Sequence, residues 1–151
     1  MKTEDLRKEI IGNYLKKWAN QHWNFDSWQD KAYNYNLNLG VINFEINSKS
    51  EIDIEGNIWI EWDFPKLPFS IGNINGFFGV ICSEDGRPNT FENFPKRING
   101  GLEICNCTVD NLDFFPEEIE GDLMFINCKN SWPEDLIRTK CNIKGSVIYV
   151  S

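Results

Sequence analysis

The stretch FPEEIEGDLMFINC, residues 115–128, is a variant of FPKRINGGLEICNC, residues 94–107. Each opens on Phe-Pro, passes through Ile-x-Gly-x-Leu and continues with apolar residues at alternate positions. The central phrase, Ile-x-Gly-x-apolar, occurs five times: Ile54-Gly56-Ile58, Ile74-Gly76-Phe78, Ile98-Gly100-Leu102, Ile119-Gly121-Leu123 and Ile143-Gly145-Val147. Its glycines stand 20, 24, 21 and 24 residues apart. Self-similarity at such a period marks stacked supersecondary units, none of which buries its apolar face alone. The spacing predicts a solenoid over residues 51–151.

Alignment on the glycine predicts which side chains meet. Two residues past it come Ile58, Phe78, Leu102, Leu123 and Val147; four past it come Ile60, Val80, Ile104, Phe125 and Tyr149. Alternate residues of a strand share a face, so these sets should form two ladders through one core. Seven past it, Asp63, Ser83, Cys107 and Cys128 are small residues suited to satisfying a turning backbone. Leu67-Pro68, Phe94-Pro95, Phe115-Pro116 and Trp132-Pro133 precede four of the phrases. Proline lacks a donor and fixes φ, which suits a return segment outside the sheet. Glu117-Glu118 and Glu134-Asp135 follow two of these prolines and suit the first turn of a helix. The run SEDGRPNT at residues 83–90 predicts an exposed loop.

Ahead of the repeats, Thr3 is a capping residue, and Leu6, Ile10, Ile11, Tyr14, Leu15 and Trp18 recur at helical spacing. They predict an amphipathic helix over residues 4–20. Residues 21–36 read as an aromatic connection and residues 37–50 as a leading strand region, with a slip of phase near Gly40. The expected organisation is one α+β domain over 1–151, with a helical and aromatic cap at 1–36, the strand region at 37–50 and the repeats at 51–151.

The net charge of −8 is unevenly placed, since residues 51–151 hold eight Lys/Arg against seventeen Asp/Glu. A nucleic-acid ligand requires clustered cations, so direct binding to nucleic acid is not expected. A basic protein partner fits, as does imitation of nucleic acid in a basic groove. The first ten residues carry acids where a secretory signal needs an apolar run, and no stretch reaches the roughly 18 apolar residues of a membrane span. A cytoplasmic location without membrane association is expected. Five cysteines without an export signal then predict reduced thiols and no disulfide framework.

GGLEICNC at 100–107 and GDLMFINC at 121–128, each behind a Phe-Pro return, resemble the leucine-rich-repeat core L-x-L-x-x-N/C. The resemblance covers residues 52–151. Here Ile two residues before glycine replaces the family's expected leucine, and the asparagine position is occupied by Asp63, Ser83, Cys107 and Cys128. The short Pro-x-x-Ile-x-Gly form is similar to small leucine-rich-repeat-like proteins of bacteriophages and their hosts. The resemblance implies about five mainly parallel strands, one per coil, with an exposed strand face that binds a partner. It also implies a phage-type inhibitor that blocks a host protein such as a defence factor, in the host cytoplasm.

On this alignment the outward face carries the first, third and fifth residues after each glycine. Trp59, Phe77, Ile81, Met124 and Ile126 are expected to form the apolar centre of a protein-binding site, with Glu61, Glu103 and Asp122 as its rim. The competing expectation is that the N-terminal helix or the 21–36 segment covers this face. Self-association through the face, or through the last strand at 145–151, is a third.

Catalytic, cofactor and metal chemistry are not expected. Cys105, Cys107 and Cys128 lack the paired spacing and histidine partners of a zinc site. His22 with Asp26 and Ser27 is only a sequence cluster, better read as a helix-end histidine than as a triad. The function expected is non-enzymatic protein binding, with nucleic-acid mimicry and an enzyme with an unrecognised site as the alternatives.

Overall fold

The computed structural model describes residues 3–21, 43–62, 65–67, 69–82, 89–128 and 132–150. Helix α1 spans Thr3–Gln21, and strand β1 follows at Asn43–Ile46. The repeats then alternate between two sheets. One is built from β1, β2 (Ile52–Glu55), β4 (Ile71–Asn75), β6 (Arg97–Ile98), β8 (Glu118–Ile119) and β10 (Asn142–Ile143), adjacent in that order. The other is built from β3 (Ile58–Glu61), β5 (Phe78–Ile81), β7 (Leu102–Cys105), β9 (Leu123–Ile126) and β11 (Val147–Val150). Every described pair is parallel except β1–β2. Helix α2, Glu134–Lys140, lies in the last return.

The chain is therefore a β-solenoid-like stack with two strands per coil, where one was expected. Each repeated phrase contains both, and its glycine is the corner between them. A methyl at Gly76 would stand 2.5 Å from the Gly56 carbonyl oxygen, one at Gly100 2.7 Å from that of Gly76, and one at Gly121 2.9 Å from the Gly100 carbonyl carbon. The coils are stacked too closely there for any Cβ. Gly121 N–H donates to Gly100 C=O at 3.0 Å and Gly145 N–H to Gly121 C=O at 3.1 Å, so the corner is itself a ladder.

The expected core ladders are in register across the second sheet, as Ile58–Phe78–Leu102–Leu123–Val147 and Ile60–Val80–Ile104–Phe125–Tyr149, and they are buried except at the last coil, where Val147 is half-buried and Tyr149 exposed. The isoleucines before the glycines form a third, Ile54–Ile74–Ile98–Ile119–Ile143, in the first sheet. All five are buried. The returns bring aromatic rings onto the second sheet and onto one another: Phe94 lies 4.9 Å from Trp62 and 5.5 Å from Phe78, and Phe91 lies 5.0 Å from Phe115. Leu67, Phe94 and Phe115 are the bulky partners of three prolines, and all are buried.

Several local expectations change. Leu6 and Ile10 are exposed and Ile11 is buried, so among the described side chains of α1 the stripe is narrower than its spacing suggests. Glu134-Asp135 do open a helix, whereas Glu118 opens strand β8. Only two residues separate Pro116 from Ile119, too few for a helical turn. The asparagine ladder sits one residue earlier than expected, at Asn106 and Asn127. Both have positive φ, 56° and 50°, and Asn127 Nδ2 donates to Asn106 Oδ1 at 2.9 Å. Asparagine tolerates this left-handed conformation better than most residues.

Cys82 and Cys107 form a disulfide, contrary to the all-thiol expectation. The reason is geometric: stacking places equivalent ends of adjacent coils side by side, here with Cα atoms 5.2 Å apart, within disulfide reach. The slip of phase near Gly40 and residues 83–88 of the expected loop lie outside the described residues; of the loop's last two residues Thr90 is exposed, whereas Asn89 is buried and bridges to Val109, held in by the stacked coils.

Gly100→Ala lowers stability by about 2 kcal/mol, because the clashing atoms are backbone and cannot withdraw. Gly12→Ala, mid-helix with its nearest neighbour Phe44 at 3.5 Å, is neutral or mildly stabilising; thermal unfolding of the two variants checks the contrast. Reducing the disulfide, which joins residues 25 apart, costs about 3 kcal/mol on the chain-entropy account, read as a lower Tm with reductant that Cys82→Ser abolishes.

Candidate functional site

The outward side of the second sheet is built from two rungs. Trp59, Gly79, Glu103, Met124 and Ile148 are in register on one, and Glu61, Ile81, Cys105, Ile126 and Val150 on the other. The alternation that sends the core ladders inward sends these outward. Phe77, Ile81, Glu103, Met124, Ile126 and Ile148 are half-buried and Val150 is exposed.

Trp59 is not an open contact residue as expected: it is only 4% exposed. Its strand is the one against which α1 packs, so the N-terminal helix does reach this end of the face. Its ring folds across Gly79, where a methyl would approach Trp59 Cδ2 to 2.5 Å, and lies 5.6 Å from the Phe77 ring. The absence of a side chain at 79 thus makes a seat for the indole. The Glu61 side chain and the 22–36 segment lie outside the described residues.

The rim acids also have local duties. Asp122 Oδ1 accepts the Ser146 N–H at 2.8 Å, just as Asn57 Oδ1 accepts the Phe77 N–H at 2.7 Å at the first pair of corners. Asp122 therefore fastens a corner, although it remains exposed. Glu103 accepts from Cys105 Sγ at 3.6 Å. Burial, then the neighbouring Glu103, pushes the Cys105 thiol well above its ordinary range. Burial also raises Cys128, and pushes Cys141 up to about 12. These sulfurs remain protonated at neutral pH, the opposite of an activated nucleophile. Among the described residues no three His, Cys, Asp or Glu are grouped to hold a metal. His22 and Asp26 lie outside them.

A second face went unrecognised in the sequence. Outside the first sheet run two polar rows, Asp53–Asn73–Arg97–Glu118–Asn142 and Glu55–Asn75–Asn99–Glu120–Lys144, whose members as far as Glu118 and Glu120 border a groove of about 360 Å³. Asn73 N–H donates to Asp53 Oδ1 at 2.9 Å, Asn75 Nδ2 to Glu55 Oε2 at 2.8 Å, and Asn99 Nδ2 to Asn75 Oδ1 at 2.6 Å. Arg97 Nε stands 3.8 Å from Glu118, and Lys144 Nζ stands 3.1 Å from Glu120. A hydrogen bond with Glu118, then the Lys144 ammonium, holds Glu120 below the usual carboxylate range. The signal was present: every phrase reads polar-Ile-polar-Gly, the period-two pattern of a strand with one wet face. No helix among the described residues is long and apolar enough to cross a membrane.

Trp59→Ala should cost about 3 kcal/mol of stability, as a truncation of a buried aromatic. Denaturant unfolding that left the midpoint unchanged would return Trp59 to the contact surface. Comparison with protein-family models, curated proteins and solved structures finds no match for this chain.

Proposed function

We propose that this protein is a non-enzymatic binding module that holds a protein partner on the outward face of its five-stranded sheet. One observation carries the reading: Ile81, Ile126 and Val150 share one rung, beside Met124 and Ile148 on the next, none of them fully buried. A wet sheet face is ordinarily polar, and contiguous apolar surface of this kind is characteristic of interaction sites. Phe77 borders the patch, and Glu103 and Asp122 favour a partner with basic residues around an apolar centre.

The leucine-rich-repeat-like assignment belongs to this proposal, supported by the Asn106–Asn127 ladder and the Phe-Pro returns. A phage-type inhibitor is its most specific form and rests on that resemblance alone. Nucleic-acid mimicry has less support: Glu118 and Glu120 pair with Arg97 and Lys144, and Asp122 is bound to a corner amide.

Met124→Lys is the discriminating change, because it charges the patch without emptying the core. Affinity capture from the native cell with wild type, Met124→Lys and the polar-face variant Asn75→Lys tests the face. The partner's recovery should fall at least ten-fold, about 1.4 kcal/mol, with Met124→Lys alone. Equal recovery by all three folded proteins would place the binding surface elsewhere.

A further inference from the structure

Among the described residues, strand β11 has an unpaired edge of definite hydrogen-bonding parity. Leu123 N–H donates to Ser146 C=O at 2.9 Å and Asn127 N–H to Val150 C=O at 2.8 Å. In a parallel ladder this turns the backbone groups of Ser146, Ile148 and Val150 toward β9, and those of Val147 and Tyr149 away from it. Among the described residues no strand lies beyond β11.

The adjacent edge is treated differently. Arg138 of α2, held at 3.0 Å by Glu134, donates to Ile143 C=O at 2.7 Å and to Gly145 C=O at 3.0 Å. One guanidinium thus closes the carbonyls at the end of the first sheet. Nothing equivalent closes Val147 and Tyr149 among the described residues. At the opposite end of the second sheet, α1 packs against β3.

The side chains of β11 reinforce the point. Val147-Ile148-Tyr149-Val150 are all strong strand formers, without the charge or proline that commonly blunts an edge. Leu136, Tyr149 and Val150 account for half of the six exposed large apolar residues identified among those described. Electrostatics single out the same coil. Residues 133–151 hold Arg138, Lys140 and Lys144 against Glu134 and Asp135, whereas residues 51–132 hold five cations against fifteen anions. Two copies of an acidic chain meet with least repulsion here.

We propose that two copies of this chain pair antiparallel through β11, with Ile148 on the two-fold axis. Val147 of each copy then lies opposite Tyr149 of the other, and each such pair exchanges both N–H and C=O groups. The two five-stranded sheets become one continuous sheet. Ile148 meets its counterpart on the outward side at the close, non-hydrogen-bonded position. Head-to-tail stacking would need the β3 edge, where α1 is packed, so the association closes as a dimer instead of growing into a fibre. Ile148 also belongs to the apolar patch of the sheet face, but the backbone pairing at Val147 and Tyr149 does not require a partner to bind there.

Sedimentation velocity over about a hundred-fold concentration range measures the mass-action equilibrium. Wild type should move from 17.6 kDa toward about 35 kDa, twice the single-chain mass. Val147→Pro removes an outward N–H at the first strand residue without touching the β9 ladder, and should remain at the single-chain mass throughout. Ile148→Cys should give a covalent dimer under mild oxidation, and Met124→Cys, on the same outward rung but one strand inward, should not. A wild type monomeric at every concentration overturns the proposal, as does a dimer that survives in folded Val147→Pro. Equal cross-linking of the two cysteine variants overturns it too, and decides the matter should Val147→Pro fail to fold.

Discussion

The close approach of backbone at the glycine corners governs this fold. Each corner must turn the chain from one sheet into the other, and the corner of the next coil must lie directly on it. With a carbonyl oxygen 2.5–2.7 Å from where a Cβ would be at Gly76 and Gly100, only glycine satisfies both demands. The corner fixes register as well as direction. Because glycine stacks on glycine, the residues two and four positions later must fall opposite their counterparts, and the pleat then sends the intervening side chains outward. The core ladders and both outer faces follow from that single alignment.

The two outer faces spend their side chains differently. The first sheet satisfies itself: asparagine amides donate to the carboxylates of the coil before, and Arg97 and Lys144 neutralise Glu118 and Glu120. Such exposed ion pairs contribute little stability individually, roughly 0–1 kcal/mol. Their effect is to specify register where strands are only two residues long, as in three of the five coils, which would otherwise have few side-chain reasons to prefer one pairing. Every strand of the second sheet is four residues long, and its outer rungs carry Ile81, Met124, Ile126, Ile148 and Val150 beside Glu103. A ligand meets fewer prior commitments on that side.

The architecture was legible because the repeat is strict where the physics is strict. Glycine recurs at the corners, and apolar residues recur at the core rungs. The second strand of each coil is harder to see because one short phrase spans two strands and the corner between them, although polar-Ile-polar already carries the strand period. Trp59 was misplaced for another reason. Its rung position was correctly outward, but the empty site at Gly79 lets the indole fold down, and α1 packs on that strand. Alternation tells which way a side chain leaves the backbone, not what its neighbour's missing side chain allows it to do. The disulfide was hidden likewise, since Cys82 and Cys107 become neighbours only once the coils are stacked.

A stack of coils also has ends, and their treatment separates this chain's surfaces by role. Antiparallel β1 closes the first sheet against β2, and α1 lies against the start of the second. At the far end Arg138 reaches two carbonyls of the first sheet's margin, and its reach ends at Gly145. Beyond that glycine the backbone polarity of β11 continues without a cap among the described residues. The same corner that holds the coils together thus marks where capping stops. On one side of it the polar groups are satisfied by a side chain; on the other, hydrogen bonding to another strand is the complement that the backbone itself prescribes.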